Sequence, residues 1–96
     1  MKDIVIYGAG GFGREIACLI RLINEKQPHW KVIGFLDDNP ELTGTTNEYG
    51  RVLGGADWLN SYEKPIAVAI AVGSPKAVES IANKITNPNV EYPNLY

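Results

Sequence analysis

A glycine-rich turn, GAGGFG at residues 8–13, separates an uninterrupted apolar run from an amphipathic one, and few architectures accommodate that order. "DIVIY" (residues 3–7) is rich in β-branched residues and lacks the alternation of a sheet with one wet face, so it predicts a strand buried on both sides in a parallel sheet. After the glycines, Phe12, Ile16, Leu19, Ile20 and Ile23 recur at helical spacing while Arg14, Glu15, Arg21 and Glu25 take the polar directions, which predicts an amphipathic helix. Pro28 lies past the polar end of that helix, and "WKVIGFLDD" (30–38) then predicts a second strand. The unit is strand, helix, strand.

Downstream, "NPELTGTTNEYG" (39–50) is dense in turn formers and polar residues and reads as a surface loop. "RVLGG" (51–55) fits a short strand or an extended connector, and "ADWLNSY" (56–62) fits a short helix held by Trp58 and Leu59. "IAVAIAVG" (66–73) is apolar without alternation, as in another buried parallel strand. Ser74 and Pro75 have the character of an N-cap and a first helical position, opening a helix to about Ile85 whose inner stripe is Ala77, Val78, Ile81, Ala82 and Ile85. "NVEY" (89–92) offers a last strand. Buried strands need covering helices on both faces, so the expected fold is an α/β three-layer sandwich around a short parallel sheet, spanning residues 1–96 as one domain.

Gly8, Gly10 and Gly13 fit G-x-G-x-x-G in the context its mechanism requires, after a strand and at the opening of a helix. There the first glycine permits a tight turn, the second lets a ligand approach the backbone, the third allows close packing of helix on strand, and the amides of the helix start favour a diphosphate. The competing reading is a tight, empty turn. Asp37 closes the second strand, where such folds carry an acid about 20 residues beyond the fingerprint to accept hydrogen bonds from ribose. Asp38 adds a second acceptor, but adjacent residues on a strand face opposite ways, so one of the two, Asp37 first, is expected at the sugar unless the turn at Asn39 and Pro40 rotates the other inward. The alternative makes one or both a solvated loop start. Gly73 and Ser74 end the other buried strand at the carboxyl-edge crevice, where Ser74 serves as helix cap, ligand contact or both.

Composition narrows the function classes. A net charge of -2, with no run of Lys or Arg, lacks the basic stripe that a nucleic-acid binder needs. No apolar stretch approaches the roughly 18 residues that span a bilayer. Cys18 is the only cysteine and reads as a small packing residue within the helix; with no signal-like N-terminus the expected address is cytoplasmic. His29, the single histidine, falls between helix and strand without an acid, nucleophile or metal partner and reads as an exposed residue. Trp30 and Trp58 read as packing aromatics and Lys76 as a solvated lysine near a helix start.

Taken in order, "IVIYGAGGFGREI", "VIGFLDDNP", "VLGGADWL" and "AIAVGSPKAV" resemble the N-terminal domain of bacterial sugar acyltransferases of the PglD/NeuD type over nearly the whole chain. The resemblance implies a Rossmann-like domain that binds the UDP portion of a nucleotide sugar, with acetyl-CoA handled by a following left-handed β-helix that also forms a trimer. Carried over by position, Gly8, Gly10, Gly11 and Gly13 would face the diphosphate and nearby sugar, Asp37 and Asp38 would lie near ribose or uracil, and Gly73 would line the far wall. Phe12 stands where the family often has His, and Ser74 where Asp or Asn is common, which alters the sugar contacts. "YPNLY" (92–96) resembles the segment leading into a His-Pro and the β-helix, neither of which occurs in these residues, so neither the acyl-CoA site nor the family's catalytic histidine has a position here. The expectation is therefore a UDP-sugar-binding module of an acyltransferase, inactive by itself. The competing functions are the NAD-binding part of an oxidoreductase, since the same fingerprint and Asp37 suit adenosine ribose, and a nucleotide-sensing or purely structural domain.

Overall fold

Among the described residues, six strands are interspersed with three α-helices. They are β1 (Lys2–Tyr7), α1 (Gly11–Lys26), β2 (Trp30–Leu36), β3 (Thr46–Asn47), β4 (Gly50–Gly54), α2 (Ala56–Asn60), β5 (Ile66–Ile70), α3 (Pro75–Lys84) and β6 (Val90–Glu91). The computed structural model describes residues 1–93; residues 94–96, and with them the end of the "YPNLY" segment, lie outside the described residues. The strands form one sheet in the order β3-β4-β2-β1-β5-β6, parallel throughout except for the antiparallel β3–β4 pair. The expected parallel sheet thus carries an antiparallel hairpin on one edge.

The lack of alternation in β1 follows from burial on both sides. Ile4 and Ile6 point toward α1 and join Ile16, Ala17, Ile20, Trp30 and Phe35 in one apolar cluster. Val5 and Tyr7 point the other way and join Leu36, Leu59 of α2, Val68 and Ile81 of α3 in a second. One helix therefore covers one face and two cover the other, the three-layer arrangement. Each fully buried Ile, Leu or Phe contributes about 1.5–3 kcal/mol relative to exposure, so these two clusters dominate folding.

The inner face of α1 differs from the apolar stripe in the sequence. Gly13, Ile16, Ala17 and Ile20 are buried, whereas Phe12 is 42% exposed and Leu19 only half-buried. The helix meets the sheet through a glycine, and that contact turns the buried face one residue, about 100°, away from Phe12. Cys18, expected to pack, is exposed, with the Tyr49 hydroxyl beside it. Trp30 is buried in the core, and Trp58 is half-buried against the Tyr62 ring at 5.1 Å.

The segment expected to be a loop, residues 39–50, is more ordered than its composition suggests. Asn39 caps a short 3-10 helix, Pro40–Leu42, through its side-chain oxygen and the Glu41 amide. The Asn47 side chain accepts from the amides of Tyr49 and Gly50, closing the β3–β4 turn. Asparagine does the same work where the helices end. Asn24 bonds His29 and Trp30 after α1, and Asn60 bonds Lys84 and Thr86 after α3. Asn87 is the one buried polar residue among those described; its amide donates to the carbonyls of Leu59 and Tyr62, and its oxygen accepts from the Asn89 amide. It thereby ties the end of α2 to the approach to β6. Asn87→Ala would leave the Tyr62 carbonyl and the Asn89 amide without partners, the Leu59 carbonyl still accepting from the Tyr62 amide, and urea denaturation should show a loss of about 2–3 kcal/mol.

Candidate functional site

Tyr7 of β1 pairs level with Leu36 of β2 and Ile70 of β5, so three strands end at one height. Strand order reverses there, since β2 lies on one side of β1 and β5 on the other. The loops that follow diverge and leave a crevice at the carboxyl edge of the sheet, the place where open parallel sheets receive ligands.

The turn from β1 into α1 is shaped by two glycines. Gly8 has φ +119°, donates its amide to the Leu36 carbonyl at 2.6 Å, and lies so close to β5 that a Cβ would stand 2.5 Å from the Ala71 carbonyl oxygen. A Cβ on Gly13 would be driven into the Gly8 carbonyl oxygen. Gly10, Gly11 and Gly73 are different in kind, because no atom stands within 4 Å of the position their Cβ would take. Gly10 is the N-cap of α1 and supplies no side-chain bond, and the first turn of the helix holds no acidic residue. The helix start therefore carries no acidic side chain of its own and no side-chain cap, with open space over Gly10 and Gly11, an arrangement that leaves room for an anion.

The two aspartates point in opposite directions. Asp37, half-buried, accepts from the Ala9 amide through Oδ2 at 3.0 Å and from the Asn39 amide through Oδ1 at 3.0 Å, which places it against the glycine turn. Asp38 lies on the other face, where it accepts from the Tyr7 hydroxyl and from Lys84 Nζ at 2.9 Å. Burial, and then the Asp38 carboxylate, push the Tyr7 hydroxyl far up, so it remains a donor; the Tyr7 bond in turn, helped by Lys84 and opposed by burial, holds Asp38 below the usual carboxylate range. Both aspartates border a cleft of about 300 Å³ that also touches Thr43, Gly55 and Asp57.

The other sequence-derived candidates are placed as follows. Ser74 caps α3, its hydroxyl accepting from the Ala77 amide at 3.4 Å, and stands exposed beside Gly73 at the mouth of the crevice. Phe12 is exposed in the first turn of α1, next to the open glycines. Lys76 is exposed in the first turn of α3. His29 sits at the opposite, amino edge of the sheet, where its carbonyl accepts from Lys2, far along the strands from the turn. Sequence reasoning missed Tyr7 and Lys84. Tyr7 carried one signal, a hydroxyl-bearing residue ending an otherwise aliphatic strand, whereas Lys84, 46 positions from Asp38, carried none.

Residues 3–85 match the family described as the PglD N-terminal domain. No curated protein matches the chain significantly. Solved structures that share its fold include the following two. The crystal structure of UDP-D-quinovosamine 4-dehydrogenase from Vibrio fischeri is 22% identical with a TM-score of 0.58, over 98% of this chain and 80% of that one. The crystal structure of RSP in complex with beta-NADH is 16% identical with a TM-score of 0.58, over 99% of this chain and 54% of that one. The architecture is Rossmann-like.

The contrast between the glycines is testable without a ligand. Gly13→Ala should lower stability by roughly 2–3 kcal/mol or more in thermal or urea melts, because only backbone can yield to the new methyl, whereas Gly10→Ala should stay within about 1 kcal/mol of the wild type. The Asp38 pair makes a second prediction. A carboxylate whose pKa is depressed on folding contributes stability at neutral pH and loses it as pH falls below its ordinary value of 3.8. Asp38→Asn should accordingly destabilise the domain at pH 7, and the difference should shrink progressively as pH falls below 3.8 in paired denaturation curves.

Proposed function

This chain belongs to the family of PglD N-terminal domains, and from that premise we propose that it is a nucleotide-sugar-binding module that takes a UDP-sugar in the crevice at the carboxyl edge of its sheet. The observation that carries the reading is the glycine turn, with unoccupied space over Gly10, Gly11 and Gly73 and uncapped amides at the start of α1. In this reading the diphosphate lies on those amides, Asp37 stands on the nucleoside side, and Asp38 borders the adjoining cleft. Gly73 and Ser74 flank the side toward β5, where the sugar would project, and Phe12 is exposed in the first turn of α1. A Rossmann-like neighbour that acts on a UDP-sugar, UDP-D-quinovosamine 4-dehydrogenase, supports the same class of ligand.

The module's part in an acyltransferase would be affinity and orientation. Acyl transfer needs a base to take a proton from the sugar amine or hydroxyl as that atom attacks the thioester carbonyl, forming the new C–N or C–O bond while the C–S bond breaks and the thiol leaves. Among the described groups, His29 is at the far edge, Tyr7 is held protonated, and the Asp37 and Asp38 carboxylates each already accept two hydrogen bonds from the protein. On this reading acetyl-CoA, and the trimer that a β-helix would form, belong to a separate part of such an enzyme, with the whole acting in the cytoplasm. The second reading, an NAD-binding domain, draws on the neighbour solved with beta-NADH and on the same turn and acid.

Calorimetry with UDP, UDP-N-acetylglucosamine and NADH separates the two. Tighter binding of NADH than of either uridine nucleotide would move the function to oxidoreduction, and acetyl transfer by the purified 96-residue chain would overturn the module reading outright. Gly10→Val supplies the internal control. Its φ of -77° is ordinary for a side chain and its surroundings are empty, so the variant should melt like the wild type yet lose UDP binding by more than about tenfold as the isopropyl group fills the ligand's space.

A further inference from the structure

We infer that Asp37 acts on a bound diphosphate through the backbone, as a positioning residue that sets the glycine turn, beyond any contact it makes with a ribose. The inference rests on the proposed reading of the crevice as a nucleotide-sugar site.

Both carboxylate oxygens are already engaged. Oδ1 accepts from the Asn39 amide two residues on, which orients the carboxylate from its own chain, and Oδ2 reaches 28 positions back to the Ala9 amide. Ala9 lies between Gly8, at φ +119°, and Gly10, with Gly11 following. A segment with that many glycines has access to many conformations and would lose much entropy on being ordered by a ligand. Its ends are held by the Gly8 bond to Leu36 and by the helix bond from the Arg14 amide to the Gly10 carbonyl. Between them, Asp37 provides a charge-assisted bond to the middle of the turn, the stronger kind of hydrogen bond. The Ala9 amide is thereby taken by the protein, and the amides left to a diphosphate are those of Gly10, Gly11 and Phe12, aimed before the ligand arrives.

This role and a ribose-only role predict opposite signs for a ligand without a sugar. A carboxylate beside an anion site repels the anion, so if Asp37 served ribose alone, removing its charge would leave pyrophosphate binding unchanged or tighten it. If Asp37 holds the turn, pyrophosphate binding weakens despite the lost repulsion. The experiment is calorimetry of the wild type, Asp37→Asn and Asp37→Ala with inorganic pyrophosphate and with UDP, each variant first shown to melt cooperatively. The expected result is a loss of roughly three- to tenfold for pyrophosphate in Asp37→Ala, a smaller loss in Asp37→Asn, which keeps one acceptor, and losses for UDP at least as large. Unchanged or tighter pyrophosphate binding in both variants overturns the inference while leaving the nucleotide-sugar reading intact. Failure of the wild type to bind UDP defeats that reading instead. Amide hydrogen exchange gives a measure independent of any ligand: Ala9 should exchange faster in Asp37→Ala while the β1 and β5 amides do not, and unchanged protection at Ala9 in that variant overturns the inference.

Discussion

The crossing of two backbone segments, the Gly8 carbonyl against the Cα of Gly13, sets the distance between α1 and the sheet. No side chain fits between them, so the helix comes down onto β1 through backbone atoms, and Ile16, Ala17 and Ile20 follow into contact with Ile4, Ile6 and Phe35. The same closeness brings Gly8 under the end of β5, next to the Ala71 carbonyl, so the turn is fixed against both neighbours of the central strand. A core built around that contact has little room to adjust.

The polar residues at the carboxyl edge divide by face. Asp37 is committed to the glycine turn on one side of β2, and Asp38, with Tyr7 and Lys84, forms a chain of bonds on the other that joins β1, β2 and α3. Strand geometry accounts for the division, since successive side chains point to opposite faces. The consequence is one carboxylate bonded to the glycine turn and another placed to brace the wall of the neighbouring cleft. That bracing is modest, because the Lys84–Asp38 pair is about half exposed on both sides and is screened by solvent.

Much of this was legible in the residues. The β1, α1, β2 order, the two buried parallel strands, the N-cap at Ser74 and the acid at the end of β2 each have a local cause in spacing or in side-chain type. The buried face of α1 was not, because Phe12 is the more apolar residue by any scale, and only the contact of Gly13 with the turn shows which way the helix is rotated. Residues 39–50 misled for a related reason. Asparagines that read as loop formers accept from nearby backbone amides through their side-chain oxygens and hold a 3-10 helix and a hairpin, and composition does not distinguish a polar segment that is bonded to itself from one that is solvated.

By itself the sequence determined the class of fold and the existence of a glycine turn between β1 and α1, because periodicity and glycine placement are local properties written in consecutive residues. The tertiary structure decided everything that depends on distance across the sheet. It assigned Gly8 and Gly13 to packing and left Gly10, Gly11 and Gly73 open. It turned Phe12 outward. It gave Asp37 to Ala9, 28 positions away, and Asp38 to Lys84, 46 positions away. Such pairings arise only once β1 has been laid between β2 and β5, because that order brings the ends of separate strands, and the loops they carry, to a single edge.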